Sequence, residues 1–458
     1  MNHAKRMKSS KTRREGSMKK TLTRPLIGIL IAGAAIAGRG AEMQKTDFRF
    51  SNVGEINNLG NFEKRFDFYR YEEYAREAAD AALRPTPLRA DPSFRYYPDV
   101  DDYVLSSSMD RTPGGRIWLA WYGGGDNDRS VLLLAKSDDD GKTFSEPRFV
   151  LDAGYIDRTH ISTSVACLWT APDGRLWLFF NQNLGCFDGR SGTWYTICAD
   201  PDADAPVWSP PVRIWHGSVL NKPTVLADGT WVLSIQLWDR EKIGIDLVEG
   251  YRVKGSRLFH ELDEYRMSNI FVSRDQGKSW TRVGGCLNEV GRTFDEPMLV
   301  ERRDGSWYLL QRTKTGISES VSTDGGRTWS KPVPFQLPTA SSRFFIRRLA
   351  SGKLLLVKNS NPEDPAIRSH MTAYLSDDDG RSWYGGLLLD DGVKVSYPDG
   401  FQAPDGRIFI QYDHNRKGGK IVMAIFTEAD VAAGKPVSGR TVLRHSIIRT
   451  GRALLEEN

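Results

Sequence analysis

The chain is poor in the signals that most quickly assign an enzyme. It holds only four cysteines, Cys167, Cys186, Cys198 and Cys286, in 458 residues. None has C-x-x-C spacing and no H-E-x-x-H is present, which argues against the common zinc centres and against a thioredoxin-like redox pair. Cys186 and Cys198 flank one loop that a disulfide could close, but so few bridges would trim a chain this long rather than frame it. An excess of one charge is missing too. The formal net charge of +5 is misleading, because residues 1–37 hold nine Lys and Arg against one acid, Glu15. The remainder carries 54 bases and 57 acids, a nearly neutral body that does not suit a nucleic-acid protein. Long apolar runs are equally scarce. The one at Leu26–Ala37 is too short to span a bilayer, follows a basic stretch and ends in Ala35-Ile-Ala37, a small-residue cleavage signature. Residues 1–37 are therefore expected to be a signal peptide. The product is expected to be secreted or periplasmic, with no membrane span after cleavage.

What is abundant is apolar, aromatic and turn-forming chain: 40% apolar, 11% aromatic, 43 Gly and 22 Pro. That is enough to bury a large core, which excludes disorder and a collagen-like fibre. Residues 38–95 form a preface in which 62–83 mix apolar and charged residues at helical spacing until Pro85, Pro87 and Pro92 stop the helix. The spacing predicts a helix packed on the outside of the main domain, which runs over 96–445 and leaves 446–458 as a tail.

From about residue 97 the pattern becomes short β-like runs, each after a glycine turn. Arg116–Trp121 follows Pro113-Gly-Gly, Leu176–Phe180 follows Pro172-Asp-Gly, and Trp231–Ile235 follows Ala227-Asp-Gly. Trp307–Leu310, Lys353–Val357 and Arg407–Tyr412 likewise follow Arg303-Asp-Gly, Ala350-Ser-Gly and Pro404-Asp-Gly. Six hairpin signals of one type, 47–76 residues apart in all-β chain, predict a six-bladed β-propeller with one four-stranded blade per unit.

A second repeat fixes the phase. Ser137–Phe144, Ser273–Trp280, Ser322–Trp329 and Ser376–Trp383 share the template S-x-D-x-G-x-[ST]-[FW]. As chemistry this is a turn: Asp accepts backbone N–H groups, Gly takes the positive-φ position and the aromatic packs beneath. The template resembles the Asp-box, or bacterial neuraminidase repeat, of the sialidase superfamily, and that resemblance spans roughly residues 97–440.

In a propeller the first strand of each blade lines the axis, and its leading end faces the pocket. Reading back from each turn gives Tyr97-Pro-Asp99, His160, Asn221-Lys222, Asp295-Glu296, Ser342-Arg343 and Tyr397-Pro-Asp399 as the pocket floor. Charged and hydrogen-bonding residues dominate, so a binding or active site is expected there. His160, Asn221, Lys222, Arg343 and Asp399 are counted as candidate substrate ligands.

The resemblance becomes specific in the last three blades. Ser396-Tyr397, followed by Pro404-Asp-Gly and Tyr412-Asp413, is similar to the sialidase segment that carries a tyrosine nucleophile. Arg368 stands where that family places an arginine before the fourth template. Glu296, followed by Arg312, is similar to the family's glutamate and preceding arginine. The resemblance implies Tyr397 as nucleophile, Glu296 as its base, and Arg312 and Arg368 as a clamp on a substrate carboxylate. It also implies an acid/base on the loop after the second strand of blade 1, where Asp126 and Asp128 are the candidates. The first blade departs from the family. Its Arg-Ile-Pro motif is replaced by Arg95-Tyr-Tyr-Pro98, which leaves Arg95 or Arg343 to supply a third arginine.

The function implied is a retaining exo-glycosidase acting on a terminal sialic acid or related acidic sugar. Two alternatives are a different glycosidase or a lyase using Tyr397 and His160 on the same scaffold, and a non-catalytic glycan-binding propeller. The expected partner is a glycan, the expected state a monomer, and no organic cofactor or metal is called for.

Overall fold

The computed structural model describes residues 76–90, 103–127, 129–156, 159–248, 251–254 and 258–449. It is an all-β, six-bladed propeller. From the axis outward, blade 1 runs Leu105–Arg111, Ile117–Gly123, Val131–Ser137 and Phe149–Leu151, with Arg89–Ala90 added outside. Blade 2 is Thr159–Thr170, Leu176–Leu184, Thr193–Cys198 and Val212–Trp215, with Tyr155–Ile156 folded back on its start. Blade 3 is Thr224–Val225, Trp231–Gln236, Ser268–Ser273 and Thr281–Cys286. Blade 4 comprises Arg292–Glu301, Trp307–Thr313, Gly316–Ser322 and Val333–Pro334. Phe345–Arg348, Leu354–Asn359, Ser369–Ser376 and Tyr384–Val393 make blade 5. Blade 6 closes the chain with Val395–Gln402, Ile408–His414, Lys420–Phe426 and Val442–Arg449.

The six glycine turns join first to second strands with one geometry. In each, the residue before the turn exchanges backbone hydrogen bonds across it, as Ala171 N–H with Arg175 O and Gly174 N–H with Ala171 O, both 2.9 Å. Second strands such as Ile117–Gly123 and Leu176–Leu184 are buried at every position. Neighbouring blades cover both of their faces, which is why these segments read as continuous apolar runs and not as alternation. The four S-x-D-x-G turns are also alike. In the fourth, Asp378 accepts from Ser376 Oγ at 2.9 Å, Ser382 N–H at 2.8 Å and Ser382 Oγ at 2.6 Å. Their glycines serve close approach as well as positive φ. A Cβ on Gly277 would lie 2.4 Å from the Trp177 ring, and one on Gly380 would lie 2.7 Å from that of Tyr308.

Three features differ from the sequence reading. The axial strand of blade 1 begins at Leu105, so Tyr103 and Val104 stand at its pocket end; residues 97–99 and Arg95 lie outside the described residues. The preface contributes Arg89–Ala90 to blade 1, and the last strand continues to Arg449, past the expected domain edge at 445; the edge at 95–96 lies outside the described residues. All four cysteines are free thiols, with Cys167, Cys198 and Cys286 buried, and no bridge closes the loop between Cys186 and Cys198. Residues 76–83 are helical and pack Ala78, Ala79, Ala81 and Ala82 against Leu184, Phe187 and Phe259, while the rest of the expected helix, 62–75, lies outside the described residues. Arg76 pairs with Glu261 at 2.7 Å to pin the helical segment.

Acid should destabilise the propeller in two windows. Burial and the neighbouring Arg213 hold His216 down at about 4, so unfolded chain takes up a proton near pH 6.5 that the folded chain refuses. Stability therefore falls as pH drops from 6.5 towards 4. Turn hydrogen bonds hold Asp139, Asp275, Asp324 and Asp378 down at about 2, so their contribution, full above pH 4, is lost between pH 4 and 2. Urea midpoints measured against pH should show both declines, and His216→Gln should flatten only the upper one.

Candidate functional site

Two inner strands carry the site, and both are distorted where they do so. Asp295 and Glu296 have φ of 58° and 42°, and register shifts on either side of Asp295 break the pairing with blade 4's second strand. Tyr397 has φ 59°, with a register shift between Ser396 and Asp399. Each distortion is followed by a proline, Pro297 or Pro398, which contributes no N–H to a ladder already interrupted. Non-glycine residues at positive φ cost of the order of 1–2 kcal/mol each, and such strain concentrates at functional positions.

The consequence is a tight polar cluster. The Tyr397 hydroxyl donates to Glu296 Oε1 at 2.6 Å, and Arg312 Nη1 donates to the same Oε1 at 2.7 Å and to the Tyr397 oxygen at 3.0 Å. Glu296 Oε2 is buried with no hydrogen-bond partner among the described residues. Burial and the Glu296 charge raise the Tyr397 phenol above its ordinary range, while Arg312, Arg416 and Arg368 pull it back. Tyr397 is thus held neutral, with its proton directed at Glu296 Oε1.

Arg312 and Arg368 are aligned by one residue. Ser341 Oγ accepts from Arg312 Nε at 3.2 Å, and its carbonyl accepts from Arg368 Nε at 3.2 Å and Nη2 at 2.7 Å. The Arg368 guanidinium lies 5.7 Å from the centre of the Tyr397 ring. From blade 1, Asp126 takes part through Tyr122, whose hydroxyl donates to Asp126 Oδ1 at 3.0 Å. Tyr122 packs in the same buried cluster as Tyr397, and burial, with Asp126, Tyr103 and Tyr397 nearby, raises the Tyr122 phenol well above its ordinary range. Asp126 is exposed at the tip of its loop. Asp128 lies outside the described residues, as does the side chain of His160, whose backbone is in the axial strand of blade 2.

The remaining candidates have been brought together elsewhere. Asp399 accepts from Ser108 Oγ at 2.7 Å, from Met109 N–H at 3.0 Å and from Arg343 Nη2 at 3.1 Å, and Lys222 Nζ lies 3.3 Å from it. Lys222 also donates to Gly400 O at 2.8 Å and to Met109 O, and it faces Asp110 at 3.3 Å. Arg343 Nε donates to Asn221 Oδ1 at 2.9 Å, while Asn221 Nδ2 donates to the carbonyls of Glu296 and Pro297. Lys222, Arg343 and Asp399 are all at most 5% exposed. Read from spacing as pocket floor, these four instead form an internal network. It ties the axial strands of blades 1, 3, 4, 5 and 6 together, one step further along the strands than Tyr397.

Residues 115–410 match the family described as BNR repeat-like domain. The chain belongs to that family. Relatives of this BNR repeat-like protein include a sialidase of Bacteroides fragilis, 26% identical over 58% of this chain and 50% of the relative. Another is an anhydrosialidase of Macrobdella decora, 35% identical over 27% of this chain and 16% of the relative. The chain thus spans half or less of the length of these curated relatives. Among solved structures, the Hadza microbial sialidase Hz136 superposes with a TM-score of 0.54 at 17% identity, covering 72% of this chain and 66% of that one. The NanB sialidase of Streptococcus pneumoniae gives 0.55 at 12% identity, covering 76% and 71%. The likenesses to these solved structures fix the fold.

The BNR repeat-like site holds one feature that sequence reading missed and one that it left open. Arg416, in the turn between the second and third strands of blade 6, lays its guanidinium 4.5 Å from the centre of the Tyr397 ring. Its signal was the Asp413-His-Asn-Arg416 run, which continues the Tyr412-Asp413 part of the sialidase-like segment. The one left open is the charged insertion at 239–269, which the sequence allows as an extended hairpin or lid over the pocket or as an outer-face excursion. It holds a hairpin of Gly244–Val248 and Tyr251–Lys254. Lys242 lies 4.8 Å from the Phe294 ring centre, and Phe294 in turn faces Arg312 at 5.2 Å. Asp239 pairs with Arg292, which holds Asp295 beside Glu296. The insertion therefore borders the site instead of leaving the outer face.

Proposed function

We propose that this protein is a retaining exo-glycosidase that removes a terminal sialic acid or a related acidic sugar from glycans. The observation that carries the reading is the shared Glu296 oxygen, 2.6 Å from the Tyr397 hydroxyl and 2.7 Å from Arg312. A sugar with a carboxylate on its reacting carbon repels an anionic nucleophile, and a neutral phenol avoids that repulsion if a base takes its proton as it attacks. Glu296 is that base. Tyr397 attacks the anomeric carbon and forms a glycosyl-enzyme, the tyrosine variant of retaining hydrolysis. Arg312 and Arg368 receive the substrate carboxylate, whose planar pair of oxygens suits a guanidinium better than an ammonium. Asp126, oriented by Tyr122, protonates the leaving group and then activates water. The leader at 1–37 delivers the protein outside the cytoplasm. Release of 4-methylumbelliferone from its α-sialoside by the purified full-length chain tests the reading: turnover supports it, and no turnover from folded protein contradicts it.

A further inference from the structure

Arg416 is held more rigidly than a surface arginine needs to be. Its Nε donates to Asp413 Oδ2 at 3.0 Å and its Nη2 to Ser396 Oγ at 3.2 Å, while Ser396 Oγ donates to Asp413 Oδ1 at 2.5 Å. Asp413 is fully buried, and Ser396 is the residue before Tyr397. The turn is fastened to blade 1 as well, since Val104 N–H donates to Arg416 O at 3.0 Å and Tyr103 bridges to Lys417. Glycine is needed at 419, where a Cβ would meet Asn415 O at 2.2 Å. Everything in this lattice fixes one guanidinium against the face of one phenol ring, 4.5 Å from its centre and closer than Arg368 at 5.7 Å.

We propose that Arg416 is a positioning residue that acts through Tyr397: its charge, stacked on the ring face and locked by Asp413, stabilises the negative charge that develops on the phenol oxygen as the proton leaves. This rests on Tyr397 being the reacting group. The charged and titratable groups facing the ring are Glu296, Arg312 and Arg368 from blades 4 and 5, Tyr122 from blade 1, and Arg416 itself. Around Arg416 stand Asp413, Tyr103 and Tyr122. Glu296 is the carboxylate that opposes phenolate formation, and Arg416 acts with Arg312 and Arg368 to offset it. A cation on the face of a desolvated ring is worth enough to change a rate by about 10–100-fold.

Arg416→Gln should lower kcat for the sialoside by about that factor with KM changed less than about threefold. Arg416→Lys, which keeps the charge, should recover most of the loss. Replacing Tyr397 in the Arg416→Gln protein with a more acidic fluorotyrosine should restore rate at neutral pH, since less help is then needed to carry the charge. A rise in KM with kcat unchanged would overturn the proposal and make Arg416 a substrate ligand. Equal losses in the Gln and Lys variants with no fluorotyrosine rescue would overturn it in favour of a purely structural role. If Tyr397→Phe retained wild-type turnover, the nucleophile reading itself would fall, a different result from either.

Discussion

Replacing Tyr397 with Phe is expected to lower kcat on an α-sialoside by about 10³-fold or more while changing the affinity for sialic acid less than about threefold. The substitution removes one oxygen. Glu296 and Arg312 remain paired at 2.7 Å, and the ring keeps its place beneath Arg416 and Arg368. The lost hydrogen bond to Glu296 costs about 1 kcal/mol of stability at most, so the variant should fold and bind. Steady-state kinetics together with calorimetric binding of the free sugar separate the two effects. Activity within tenfold of wild type would show that another group attacks.

The second large effect concerns stability. Asp399→Ala should destabilise the propeller by about 3–5 kcal/mol, because it leaves two buried cations short of their anion. Arg343 loses its carboxylate at 3.1 Å, and Lys222 keeps only Asp110 at 3.3 Å. The network joins axial strands from opposite sides of the ring, so the loss falls on the contacts that hold the blades together. Urea unfolding measures it. A change below about 1 kcal/mol would mean that water reaches the axis and screens these charges. Such a variant must be compared at a pH where Asp110 is ionised, since burial raises that carboxyl above its usual range.

These two predictions also mark what could and could not be read in the sequence. The six glycine turns and four S-x-D-x-G templates are local. Turn chemistry and backbone geometry alone require Gly at positive φ and Asp on nearby N–H groups, so they gave blade number and phase directly. The pairing of Glu296, Arg312 and Tyr397 was legible through family resemblance, because each lies at a fixed offset from one of those turns. The function of Lys222, Arg343 and Asp399 was not. A charged residue at the head of an axial strand looks the same whether it meets solvent or a partner three blades away, and only the closed ring distinguishes the cases. Arg416 escaped because a hairpin turn rich in Asn, Lys and Gly ordinarily reads as solvated surface. The short helix at Glu428–Ala433 was likewise overlooked, although Thr427 and Asp430 form a capping box at its start. Six residues are too few for a periodic signal.

The structure also narrows how the site could be selective. Blade 1 presents Tyr103, Val104 and Leu105 at its pocket end, so no first-blade arginine stands there among the described residues. Among the described residues, positive charge around Tyr397 comes from blades 4, 5 and 6, through Arg312, Arg368 and Arg416. The blade 1 side is aromatic, with Tyr103 and Tyr122 at a centroid distance of 6.4 Å.

The most direct measurement is the anomeric form of the sugar first released from an α-sialoside, followed by proton NMR before mutarotation. Attack by Tyr397 and then by water inverts the carbon twice, so the α-anomer should appear first and the β-anomer should grow in later. First appearance of the β-anomer would mean that water attacks directly, and would contradict Tyr397 as a nucleophile.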